Sequence, residues 1–165
     1  MPLKRAEKSR FIADCMLGWL AKWLRVLGYD VAYERDISDD ALIVRSWREG
    51  RILLTRDTAL VKRRALRRSG GESLLIASDR VEEQLVQTVE QCGLIPRRND
   101  WLSRCLRCNE LMQPVSRREV ESEVPAYVFR TQERFSRCPA CGRVFWRASH
   151  VARILERLSA RFGVA

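Results

Sequence analysis

At 165 residues, 46% of them hydrophobic and 32% charged, the chain can hold one core of about 100 residues plus a small module, and its composition is ordinary for a globular protein. No uncharged apolar run reaches membrane-spanning length, and no signal-type apolar core follows Met1-Pro2-Leu3-Lys4-Arg5, so a cytoplasmic protein with no membrane partner is expected. The net charge of +10, carried mostly by arginine, makes nucleic acid the leading partner class, against the plainer reading of a basic protein that meets an acidic one.

Residues 1–9 read as a basic lead-in. Phe11-Ile12-Ala13 is a short apolar run ending at Asp14, the first expected strand. From Cys15 onward apolar residues recur at helical spacing up to Gly28, a C-terminal stop, and Tyr29, Val31 and Tyr33 alternate as a second strand. Ser38, Asp39 and Asp40 open a helix over 41–47, which Gly50 closes. Ile52-Leu53-Leu54, followed by Thr55-Arg56-Asp57, suits a strand buried on both faces whose carboxyl end reaches the surface. A densely basic helix over 58–68 follows, then a Gly70-Gly71 turn, a strand at Leu74-Leu75-Ile76 with Asp79 just past it, and a helix over 81–92. This alternation predicts an α/β fold with a parallel sheet. Pro96 to Asp100 marks a boundary, dividing the chain into 1–95 and 96–165. Beyond it lie two cysteine pairs, a strand-like Tyr127-Val128-Phe129 and an amphipathic helix over 151–162. Trp19, Trp23 and Trp47 fall on apolar stripes and read as core, and Cys15 and Cys92 as buried fillers.

Asp14, Asp57 and Asp79 each fall just after an expected strand, and Asp39 opens the helix between strands two and three. Carboxyl ends of parallel strands face one way, so these four acids can converge on one rim. Clustered carboxylates repel unless a cation neutralises them, and oxygen-only ligands favour Mg²⁺ or Mn²⁺, which can activate water against a phosphodiester. Asp14, Asp39 and Asp57 are the candidate ligands, with Asp79 assisting and Thr55 orienting a carboxylate or water. Asp40 is an alternative to Asp39, and each acid has the plainer reading of a helix cap. No Gly-rich phosphate loop is present, a single His argues against His-based catalysis, and Cys15 and Met16 stand where a receiver or a dehalogenase would need a second acid. Arg56, Lys62, Arg63 and Arg64 lie where a phosphate track towards the acids would run.

Cys105-x-x-Cys108 and Cys138-x-x-Cys141 bracket an insert of 29 residues, 109–137. Two such turns present four thiolates to one structural Zn²⁺, with an iron centre of the same ligand set as the alternative, and so small a module draws much of its folding free energy from the metal, while 1–95 is expected to stay largely folded without it. Arg107 and Arg143 on the turns, with Phe145 and Trp146 beside them, suit RNA, although Trp146 reads first as packing and His150 as structural or RNA-contacting.

The stretches 11–25, Leu27-Gly28-Tyr29-Asp30 and 51–57, together with the two cysteine turns, resemble the PIN-like ribonucleases of the mut-seven C-terminal RNase family. The resemblance implies a PIN-like sheet with a C-terminal zinc ribbon and metal-dependent cleavage of RNA. It matches Asp14, Asp39 and Asp57 to the family's acid positions, and Asp79 less closely. The alternative from another class is a non-catalytic RNA-binding or ribosome-associated zinc-ribbon protein.

Overall fold

In a computed structural model, residues 9–68 and 70–163 are described. Four short strands, β1 (Arg10–Ala13), β2 (Asp30–Tyr33), β3 (Ile52–Thr55) and β4 (Ser73–Leu75), form one parallel sheet in the order β2-β1-β3-β4. Side chains of a strand alternate between faces, and both faces of the central strands are covered. Phe11, Ala13, Ile52 and Leu54 meet Leu20 and Leu24 of α1 (Gly18–Val26), Leu85 and Val89 of α5 (Val81–Gln91), and Leu155 and Leu158 of α7 (Ser149–Phe162). Ile12 and Leu53 meet Leu42 and Ile43 of α2 (Asp39–Arg48), Leu60 of α3 (Thr58–Lys62) and Leu66 of α4 (Arg64–Arg68). The C-terminal helix thus packs on the first core rather than on the module that precedes it.

That module is an antiparallel sheet of β5 (Gln113–Val115), β6 (Phe135–Arg137) and β7 (Val144–Trp146), with the helix α6 (Ala126–Thr131) and a core of Val120, Val124 and Phe135. Here the strand expected at 127–129 is corrected. The Phe129 N–H donates to Pro125 O and the Gln132 N–H to Val128 O, at 3.0 and 2.9 Å, which are helical bonds. Pro125 sets the start of the helix, and packing of Val128 and Phe129 on the small core overrides their β-propensity. Trp146 packs on this same core.

Three other expectations fail. Trp19 and Trp47 are exposed, because Leu17, Leu20, Ala21 and Leu24 take the inward stripe of the first helical segment and Leu42, Ile43 and Ser46 that of the next. Cys15 is exposed, since it begins the 3-10 turn Cys15–Leu17 just past the carboxyl end of β1, whereas Cys92 is buried as expected. The helix over 58–68 is two helices, broken where Arg63 turns extended at ψ 133°.

The two modules are locked together at the amino end of the sheet. β2 is an edge strand, and an edge with open N–H and C=O groups needs a cover. The Val31 N–H donates to Asn109 Oδ1 at 2.9 Å, and Val31 O accepts from Nε and Nη2 of Arg25 at 3.0 and 2.7 Å. The same buried guanidinium donates through Nη1 to the carbonyls of Leu106 and Arg107, at 2.8 and 3.2 Å, inside the first cysteine turn. Gly28, at φ +93°, lets the chain reverse against residue 100, where an added Cβ would collide with the Asp100 carbonyl. Gly28→Ala is therefore expected to cost about 2 kcal/mol or more, read as a lower urea midpoint, while Gly70→Ala, with φ +66° and open space around it, should cost less.

Candidate functional site

The carboxyl ends of β1 and β3 are adjacent, and one hydroxyl joins the acids that follow them. Thr55, fully buried as the last residue of β3, donates through Oγ1 to Asp14 Oδ2 at 2.7 Å and accepts from the Asp57 N–H at 3.0 Å. The Asp14 N–H donates to Leu54 O at 2.9 Å, so Asp14 is held by backbone as well as side chain, and it is only 7% exposed. Asp57 caps α3: its Oδ1 accepts from the N–H groups of Ala59 and Leu60 at 2.7 and 3.2 Å. The plainer reading of that residue is therefore realised, with its second oxygen outside the cap.

Asp39 begins α2, but Ser38, not Asp39, supplies the cap, accepting from the Ala41 N–H at 3.3 Å. Arg63 clamps the acids there, donating through Nη2 to Asp39 Oδ2 at 2.8 Å and through Nη1 to Asp40 Oδ1 at 2.7 Å. Asp14 and Asp39 act on a common point, the thiol of Cys15. Its pKa is pushed up by a hydrogen bond with Asp14, then by burial and the Asp14 charge, and further by the Asp39 charge. Asp79 is exposed in the bend between β4 and α5. Among the described residues, the only three or more His, Cys, Asp or Glu side chains whose ligand atoms all lie within 4.8 Å of one another are the four cysteines. The carboxylates of Asp14, Asp39 and Asp57 do not form such a group.

The cysteines do converge. Cys105 Sγ lies 3.8 Å from Cys141 Sγ, and a tetrahedron of Zn–S bonds of about 2.3 Å has edges of about 3.8 Å. The two turns are built alike. The Asn109 and Gly142 N–H groups donate back to Cys105 O and Cys138 O, each at 2.9 Å, and the Cys105 and Cys138 N–H groups donate to Glu110 O and Arg143 O at 2.8 and 3.0 Å. Asn109 and Gly142 sit at φ +68° and +70°, the left-handed region that Gly and Asn tolerate best. Burial raises the Cys105 thiol, hydrogen bonding with Cys141 pushes Cys108 up to about 12, and the Arg143 backbone amide brings Cys141 down to about 7. The donor set could hold a structural zinc ion, which binds cysteine as the thiolate.

This pairing of a parallel α/β sheet with a four-cysteine module agrees with the family match: the Mut7-C RNAse domain matches residues 9–158. The chain belongs to the Mut7-C RNAse domain family. That family points to a ribonuclease-type function with RNA as substrate. No curated protein and no solved structure matches. No described helix is long and apolar enough to cross a membrane.

Within this Mut7-C chain the expected RNA-contacting residues divide into two patches. Arg56 lies at the carboxyl end of β3, with exposed Lys62 and Arg64 on the broken helix after it and Arg63 engaged by the two acids. Arg107 and Arg143 are exposed on the cysteine turns. The first of these turns lies at the amino end of β2, roughly 10 Å along the sheet from the acids. The side chain of His150 lies outside the described residues. Sequence reasoning missed Arg25 and Asn109. An arginine inside an apolar stripe and an asparagine where the second turn has glycine were the signals that could have found them.

Proposed function

We propose that the chain is a metal-dependent ribonuclease whose acidic edge holds Mg²⁺ or Mn²⁺ between Asp14, Asp39 and Asp57, with Asp79 at its margin. The observation that carries this is the Thr55 hydroxyl shared by Asp14 and Asp57, which fixes two acids at adjacent strand ends. An all-oxygen donor set fits a hard divalent cation, which when bound lowers the pKa of a water and offsets charge on the scissile phosphate. Thr55 is a positioning residue that aims the Asp14 carboxylate. Arg56, Lys62 and Arg64 hold flanking phosphates. One Zn²⁺ on the four cysteines holds the ribbon and performs no chemistry.

Arg63 follows from the same reading as a competitor for the metal: its ion pairs neutralise Asp39 and Asp40. Such pairs, half-exposed at Asp39 and mostly exposed at Asp40, are together worth about 0.5–1 kcal/mol. Arg63→Ala is expected to lower the Mn²⁺ concentration for half-maximal cleavage by about two- to fivefold. A raised KM for RNA with unchanged metal dependence would instead make Arg63 a phosphate contact.

The Asp57 cap favours the second reading, an RNA-binding protein without catalysis. Labelled RNA incubated with the zinc-loaded chain separates them: cleavage should need added Mn²⁺ or Mg²⁺ and stop when it is withheld. Binding without cleavage under every divalent ion tried would leave the second reading standing.

A further inference from the structure

Between the ribbon and the sheet domain lies a groove of about 600 Å³, within the range of small-molecule and nucleotide sites. Four arginines line it, Arg98, Arg104, Arg134 and Arg147, and no Asp or Glu does among the described residues. Strand alternation explains the ribbon wall. Phe135, Val144 and Trp146 pack on the module's own core, with Trp146 also reaching the groove. The intervening Ser136 and Phe145, paired across β6 and β7, line the groove, and so do the flanking Arg134 and Arg147. Phe145 is thus an aromatic on a sheet face ringed by guanidinium groups, left out of all three hydrophobic clusters. On the opposite wall the Arg98 guanidinium lies 5.9 Å from the Trp101 ring centre.

We propose that this groove is a second RNA site, taking a single-stranded segment with a base against Phe145 and phosphates on Arg98, Arg134 and Arg147. Arginines and no acids fit a polyanion, and a half-buried aromatic on a sheet face can stack an unpaired base, whereas bases inside a duplex are already stacked. Arg98 also donates through Nη2 to Ser159 Oγ at 3.3 Å, and Arg104 is engaged by backbone. Its Nε donates to Gly28 O at 3.0 Å and its Nη1 to Asn109 O at 2.8 Å, which fixes the groove at the amino end of β2. The groove therefore opens at the end of the sheet remote from Asp14. RNA held there must run roughly 10 Å along the sheet before reaching the acids. The inference rests on the reading that the chain acts on RNA.

Fluorescence anisotropy of the full, zinc-loaded chain tests it, with a labelled single strand and a labelled hairpin, and without Mg²⁺ or Mn²⁺ so that cleavage does not enter. Arg134→Glu/Arg147→Glu is compared with Arg48→Glu/Arg130→Glu, a pair of exposed arginines outside the groove. Each pair changes two charges by two units, from +10 to +6, so general attraction falls equally. The groove pair is expected to lose about tenfold or more in affinity for the single strand, and about 1.4 units of salt slope for two phosphates. The outer pair should lose less than about threefold. Equal losses in the two pairs, or an equal loss for the hairpin, would overturn the proposal. So would a labelled oligoglutamate that depends on the groove pair while RNA does not, an outcome that assigns the groove to an acidic protein. Binding through the groove with no cleavage under any metal removes the nuclease reading and keeps the site; cleavage indifferent to the groove pair does the reverse.

Discussion

Asp14→Asn is expected to reduce divalent-metal-dependent RNA cleavage by about 100-fold or more while leaving the fold and RNA affinity nearly intact. The amide has the shape of the carboxylate and can still accept the Thr55 hydroxyl at the position of Oδ2, so only the charge that would hold a cation is lost. Asp57→Asn is a matched probe. Asparagine caps a helix about as well as aspartate, so the bonds from the Ala59 and Leu60 amides survive and lost activity would report charge rather than a frayed α3. Removing negative charge beside phosphate should, if anything, tighten RNA binding. Thr55→Val keeps the volume of a fully buried residue but takes away the donor to Asp14 and the acceptor for the Asp57 amide. Its expected loss is smaller, about 10- to 100-fold, with a raised Mn²⁺ requirement that a merely structural role would not produce. Undiminished cleavage in both aspartate variants would remove the catalytic reading.

The second large effect is expected on zinc removal. The ribbon core consists of Val120, Val124 and Phe135 with a few half-buried neighbours, too little apolar surface to offset the ordering of the segment. A structural Zn²⁺ contributes on the order of 10 kcal/mol of apparent binding free energy at neutral pH, which on these four cysteines would be folding free energy. Cys105→Ser, or a chelator, should therefore release one zinc per chain and unfold residues 103–148. Acid should act in the same direction, since the ligands must be deprotonated and protons compete with the metal as pH falls. The sequence alone suggests that 1–95 would stay largely folded. The bonds between the modules argue otherwise, because the first cysteine turn supplies the Asn109 acceptor for Val31 and the carbonyls that hold buried Arg25. Loss of the turn should speed hydrogen exchange at the Val31 amide and lower the stability of the sheet domain by about 1–3 kcal/mol, the cost of leaving such groups unmet. A zinc-free chain with a folded ribbon and a protected Val31 amide would refute this.

Where local chemistry and core packing agree, the chain was legible before folding. Continuous apolar runs at 11–13 and 52–54 can only be covered on both faces, which made β1 and β3 central strands and put Asp14 and Asp57 at their carboxyl ends. The cysteine spacing likewise pointed to a four-thiol site, because Cys-x-x-Cys geometry is set by local turns that differ little with context. The Mut7-C family membership was legible for the same reason: its marks lie in contiguous stretches.

Contacts between residues distant in sequence decided the rest. Trp19 and Trp47 lie near helical apolar stripes, but which flank of a wide stripe turns inward depends on the sheet beneath it, and both turn out. Val128 and Phe129 suit a strand or a helix, and the contact with Val120 and Phe135 selected the helix. Arg63 and Arg64 are adjacent in one basic run, yet a break at Arg63 turned the first onto Asp39 and Asp40. Arg25, an ordinary helix residue by position, became the bolt between two modules because the edge of β2 and the first cysteine turn meet over it. The strands, the ligand types and the family were thus written into contiguous stretches of the chain. Which charges pair with one another was decided by the fold, because ion pairing is set by distance in space, where sequence separation carries no information.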